Sequence, residues 1–287
     1  MTDKNPLMNI GDLAKPVDTL INRVSDAIGG FAKPWQIERV AKAEAKAQII
    51  LAASSLELPD VTKRALQRIL IEETCKQINL EDIVMQATPL IDADASPEDI
   101  EEDWLTNFLE ASRIVSNKEL QIIWAKILAG EANSPGEFSK KTINILSSFE
   151  KEDAELFQIL SNFFWTTSDF IFPYINIIDD EFYSSHGITY GNLLHLQSLG
   201  LVTFNSLGGY KIIKQPETKS LNYFNKKIEL ILNNDQNREL QLGQVLLTNV
   251  GIDLASVIKG NPIEDFFDFS LNKFMTDDIS IVSPVFK

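Results

Sequence analysis

Apolar residues recur every three or four positions through most of the first 165 residues, the period of helices with one buried face. A first helix opens at Pro16, carries Leu20, Ile21, Val24 and Ile28 on its stripe, and stops at Gly29-Gly30. A second is predicted over 34–56, with Ile37, Val40, Ala41, Ala45 and Ile49 on one face. Pro59 starts a third, whose buried side is expected to hold Val61, Ala65, Leu66, Ile69 and Leu70. Ser96-Pro97 reads as a capped start for a helix through Trp104, Leu105, Phe108 and Leu109. Ser116 and Glu119 have capping-box spacing, and Leu120, Trp124, Ile127 and Leu128 follow at i, i+4, i+7 and i+8. Segments 138–146 and 154–164 continue the helical period.

Near Thr167 the pattern changes to short β-branched and aromatic runs. Residues 170–178 predict a strand, and Pro173 places it at a sheet edge. Thr189 caps a short helix closed by Gly200, after which 201–204 and 210–213 flank Asn205-Ser-Leu-Gly-Gly as a hairpin. Helix followed by hairpin is the outline of a winged-helix unit. A second hairpin is expected between 227–232 and 239–247, then helices from Thr248 and over 262–274. The fold class expected is mainly α with a C-terminal α+β region: a helical hairpin over 1–58, a helical domain over 59–166, and a winged-helix-like domain over 167–287.

Charge narrows the choice of partners. The net charge is −15, and 59–110 alone holds thirteen acidic side chains against four basic ones. No segment is basic, which argues against nucleic-acid binding, since that rests on neutralising phosphates. The start of the chain lacks a basic region followed by an apolar one, and the single Cys75 cannot form an internal disulfide; both favour a cytoplasmic protein. The two N-terminal helices could lie on a membrane surface, so peripheral contact through 16–56 is an alternative to a hairpin or an oligomer interface.

Candidate chemistry is sparse. His186 and His195 are the only histidines, with no cysteine nearby, so neither a metal site nor a cofactor is expected; His195 reads as a packed or partly exposed residue. Gly29-Gly30, Pro135-Gly136 and Gly208-Gly209 are turn signals rather than phosphate cradles. The acidic runs at 101–103 and 179–181 read as solvated surface. The most specific polar set is Gln121, Glu131, Ser139 and Thr142. Ser139 is expected to cap a helix, and Glu131 or Gln121 to bond the exposed backbone of the Pro135-Gly136 turn; a ligand-binding loop is the rival reading.

The run Ser116, Glu119, Leu120, Gln121, Trp124, Ala125, Ile127, Leu128, Ala129, Gly130, Glu131, followed by Pro135, Gly136, Phe138, Ser139 and Thr142, resembles the central signature of the bacterial family called domain of unknown function 2806. Gly11 to Pro16 and Lys33-Pro34-Trp35 are similar to that family's opening. A second similarity, to abortive-infection alpha proteins, rests on Trp124-Ala125, on Leu193, Leu196, Leu199 and Gly200, and on Leu247, Thr248, Gly251 and Leu254. The first family implies no activity; the second implies phage defence. The expectation is therefore a non-enzymatic protein that binds a protein partner or another copy of itself, as a component of phage defence. A membrane-active effector and a winged-helix DNA-binding regulator are the alternatives.

Overall fold

In a computed structural model the described residues are 15–28, 59–233 and 238–286, together with Gln48, Ile49 and Ala52. The predicted helix over 34–56, the Gly29-Gly30 break and the family-like opening lie almost wholly outside them. The chain divides into two compact units, Met1–Ser147 and Ser148–Lys287. Overall the protein is α+β, with helices in the first unit and helices plus small antiparallel sheets in the second.

In the first unit, α1 (Lys15–Ala27) buries Val17, Leu20, Ile21 and Val24 at the expected period. Its Arg23 donates to the Pro97 carbonyl at 2.9 Å. Helix α2 (Asp60–Ala87) packs on α4 (Lys118–Asn133) through its C-terminal part, where Leu80, Ile83, Val84 and Ala87 are buried. Its N-terminal part departs from expectation. No side chain from 60 to 78 is buried, and Val61 is 66 % exposed, Ile69 50 % and Leu70 39 %. Periodicity identifies an apolar face without saying what covers it.

Two helix starts also differ. Ser96 offers no side-chain bond; Pro97–Asp99 makes only a 3₁₀ turn, and α3 (Glu102–Ser112) begins after Glu101. Ser116 is not the cap of α4. Asn117 is, its amide oxygen accepting from the amides of Glu119 and Leu120 at 2.9 and 3.0 Å. The unit closes with α5 (Lys140–Leu146).

In the second unit, α6 (Lys151–Ser161) gives way to strand at β1 (Phe164–Thr166), inside the stretch expected to stay helical. Of the strand expected over 170–178, only β2 (Ile171–Pro173) forms. The main sheet has the order β2-β1-β5-β6-β9, with β5 at Thr218–Tyr223, β6 at Lys226–Leu232 and β9 at Ile279–Phe286. Pro173, unable to donate to a ladder, sits in the edge strand. Leu221, Tyr223, Ile228, Leu230 and Leu232 alternate onto the buried face. Against the sheet lies α10 (Phe266–Phe274), where Trp165 stacks on Phe267 and meets Phe274 edge-on at 5.3 Å.

Both expected hairpins are replaced by longer-range pairings. After α7 (Glu181–Ser185) and α8 (Tyr190–Ser198), β3 (Val202–Phe204) pairs with β8 (Val245–Leu247) and β4 (Tyr210–Ile212) with β7 (Leu240–Gly243). Likewise β6 pairs with β5 and β9, not with 239–247. Thr189 and Thr248 cap α8 and α9 (Asn249–Val257) as their sequence context predicts. Among the described residues no helix is long and apolar enough to cross a membrane.

Candidate functional site

The distinctive residues meet where α4 ends and turns into α5. The chain reverses through Ser134, Pro135 and Gly136, with Gly136 at φ +89°, a conformation glycine adopts without steric cost. Such a turn leaves amides unpaired. Glu131, only 1 % exposed, supplies both acceptors: one carboxylate oxygen takes the Gly136 amide at 2.7 Å and the other the Phe138 amide at 2.9 Å.

Gly130 completes the turn from the helix side. A Cβ there would stand 2.6 Å from the buried Phe138 ring, so the bare backbone lets the ring lie against α4. The Phe138 carbonyl accepts from the Trp104 indole at 2.7 Å, and Trp104 stacks on Phe108, which meets Trp124 edge-on, each pair at 5.2 Å. Ser139 then caps α5 by accepting the Thr142 amide, and the two hydroxyls lie 2.9 Å apart. The Pro-Gly turn, the aromatic cluster and the next helix are thus positioned from one carboxylate.

Gln121 acts at a different junction. Its amide donates to the Val115 carbonyl at 2.8 Å, and its oxygen accepts from Lys118 at 2.9 Å. Asn79 on α2, 3.5 Å from the Gln121 amide, donates to the Arg113 carbonyl at 3.0 Å. Lys118 also reaches Asp82. Together these fasten α2, the α3–α4 connection and the start of α4. Asn79 carries no sequence signal for this role, being polar on an otherwise apolar helix face.

Chemically, the cluster is closed. Glu131 and Gln121 are buried, and each carboxylate oxygen of Glu131 is engaged by a backbone amide. The indole nitrogen of Trp124 and the hydroxyl of Ser112 are buried without a hydrogen-bond partner among the described residues. Such groups cost stability, and both residues are fully buried.

Elsewhere the structure adds two ion pairs that sequence reasoning missed. His195, half exposed, places Nε2 2.6 Å from a carboxylate oxygen of Asp153, whose other oxygen accepts the Glu150 amide at 2.9 Å at the start of α6. Asp180 caps α7 through the Phe182 amide and pairs with Lys273 at 3.1 Å; these two contacts, the amide first, hold its carboxyl below the ordinary range. Among the described residues no three His, Cys, Asp or Glu side chains converge as metal ligands.

Fold and site together define an α+β protein whose most specific polar residues hold turns and helix ends. The chain belongs to the family described as Protein of unknown function (DUF2806), whose profile matches residues 63–270, a span including both the Glu131 turn and the Trp165 core. No curated protein and no solved structure matches it.

Proposed function

We propose that this chain is a non-enzymatic interaction protein that pairs with a second copy of itself through the N-terminal part of α2, acting in phage defence. The observation that carries this reading is the uncovered stripe of α2. Residues 60–78 rise about 1.5 Å each, so the stretch extends for roughly 27 Å with no buried side chain. Val61, Ala65, Leu66, Ile69 and Leu70 supply apolar surface along it, which is how helices bury a face against another helix.

The charges favour an antiparallel second copy as the occupant. Lys63, Arg64 and Arg68 precede Glu72 and Glu73. In an antiparallel pair centred on Arg68, Leu66 of one copy faces Leu70 of the other, and Lys63 faces Glu73 beside that stripe. Glu73 now pairs within its own helix, with Lys76 at 2.5 Å, an ion pair open to solvent and readily redirected. The winged-helix DNA-binding reading draws less support, because α8 contains no Lys or Arg.

Sedimentation equilibrium tests the pairing. The expected mass is twice 32.3 kDa, reduced to 32.3 kDa by Ile69→Glu with unchanged far-UV circular dichroism. Lys63→Glu should weaken the pair and Glu73→Lys should restore it. A monomer whose unfolding midpoint drops on Ile69→Glu would assign the stripe to cover by the same chain and overturn the reading. The defence setting is tested by phage plating efficiency on a host with and without the chain; equal plaque numbers in the two would remove it.

A further inference from the structure

A cleft in the second unit has the features of an anion site. Strand β5 pairs with β6 over six positions, from Thr218↔Ile231 to Tyr223↔Lys226, but with β1 only at Thr166↔Asn222. Beyond Thr166 the β1–β2 connection leaves β5, and the gap is a cavity of about 700 Å³, within the usual range for small-ligand sites.

Its walls are fixed in different ways. The β1–β2 turn is closed on itself, the Thr167 hydroxyl accepting the amides of Asp169 and Phe170, each at 3.1 Å. Lys219, almost fully buried, pins that turn to β5 through Asp169 at 2.5 Å. This contact, followed by the Ser168 hydroxyl, holds the Asp169 carboxyl below its ordinary range. The Lys219 charge is therefore committed to the wall.

The opposite side is uncommitted. Thr218, Ser220 and Asn222 share one face of β5 at strand spacing, and Lys227 lies directly across from Asn222. Among the described residues none of these four side chains has a hydrogen-bond or ion-pair partner. The Ser220 hydroxyl, the Asn222 amide and the Lys227 ammonium group line one stretch of the cleft and match the needs of a tetrahedral anion: neutral donors and one cation. Asp169 in the wall is answered by Lys219, and Glu229 lies across from Ser220 on β6, so Lys227 is the cation at the Asn222 end of the cleft.

We propose that this cleft binds the phosphate group of a small phosphate monoester, with Lys227 as the charged contact and Ser220 and Asn222 as neutral donors. Thr218, about 13 Å from Asn222 along β5, lines the end of the cleft that the rest of the ester would occupy. The proposal is independent of self-association through α2.

Isothermal titration calorimetry of the full chain with glycerol 3-phosphate tests it, with inorganic sulfate as a competitor. The expected result is saturable, salt-sensitive binding weakened about tenfold or more by Lys227→Ala, as loss of a charge-assisted contact requires, and to a smaller extent by Ser220→Ala. Both positions face the cleft rather than the core, so the variants should keep the wild-type unfolding midpoint. Co-sedimentation with vesicles containing phosphatidic acid forms a second arm. Binding there that Lys227→Ala abolishes places the phosphate on a lipid, whereas glycerol 3-phosphate binding alone places it on a soluble molecule. No binding in either arm, or binding untouched by Lys227→Ala, overturns the proposal.

Discussion

The carboxylate of Glu131 holds the amide of Phe138 at 2.9 Å across the turn between α4 and α5, and its second oxygen holds Gly136. Hydrogen bonds to a charged acceptor contribute about 1.5–3 kcal/mol each, and the amides would be left unsatisfied in a buried place. Glu131→Ala should therefore lower stability by roughly 3 kcal/mol. Glu131→Gln, which keeps one acceptor, should lose about half of that. Urea midpoints with an unchanged denaturant slope would check this. A neutral Glu131→Ala would mean that the turn forms without its carboxylate.

Two glycines of similar backbone angle should respond differently to alanine. Gly136 has φ +89° with nothing within 4 Å of an added Cβ, so Gly136→Ala meets only the left-handed penalty, about 1–2 kcal/mol. Gly243 has φ +85°, and a Cβ there would lie 2.4 Å from the Ile175 carbonyl oxygen, which also accepts the Gln244 amide. Backbone cannot step aside as a side chain can. Gly243→Ala should cost at least about 2 kcal/mol more than Gly136→Ala in the same denaturation assay. Equal losses would show that the β7 backbone shifts freely.

Asp153 and His195 tie α6 to α8, but unequally. His195 is half exposed, so water competes for its bond and His195→Ala should cost no more than about 1 kcal/mol. Asp153 also satisfies the Glu150 amide in the capping box of α6, so Asp153→Ala should cost about 1 kcal/mol more than His195→Ala. Once Asp153 is gone, His195→Ala should add little, a non-additivity that a double-mutant cycle measures. Additive losses would place the His195 contribution in packing instead.

What the sequence made legible were features whose partners lie close along the chain. Ser139, Thr189 and Thr248 cap helices because the amides they accept are three residues away. Glu131 is in the same position, five and seven residues from its amides. Pro173 marks an edge by lacking a donor. Long-range partners left no such trace. Asn79 and Gln121 are 42 residues apart, as are Asp153 and His195. The Asn205-Ser-Leu-Gly-Gly signal shows where the chain turns, but β3 and β4 leave that turn for β8 and β7. Ser116 was outcompeted as a cap by Asn117 next to it, one residue being the usual uncertainty of helix ends. Strand β5 was hidden by the same outward polar residues that line the cleft beside β1.

Alkaline pH should unfold the second unit through its buried tyrosines. Burial raises the Tyr223 hydroxyl from 10.0 to about 12 and pushes Tyr174 and Tyr183 upward as well. The Tyr223 hydroxyl donates to the Asn162 carbonyl at 2.9 Å and accepts the Ile263 amide at 2.7 Å, so its proton is part of the packing. A phenol raised in the folded state keeps its proton at pH values where the unfolded chain has lost it. Its stabilisation is therefore complete below the unfolded value of 10.0 and is lost as pH climbs from there toward the folded value. Each such tyrosine contributes a slope of about 1.4 kcal/mol per pH unit within that window. Urea midpoints should thus stay level approaching pH 10 and then fall steeply. Tyr223→Phe should be less stable at neutral pH, having lost both hydrogen bonds, yet show a shallower alkaline slope. A slope equal to wild type would mean that Tyr223 ionises without opposing the fold.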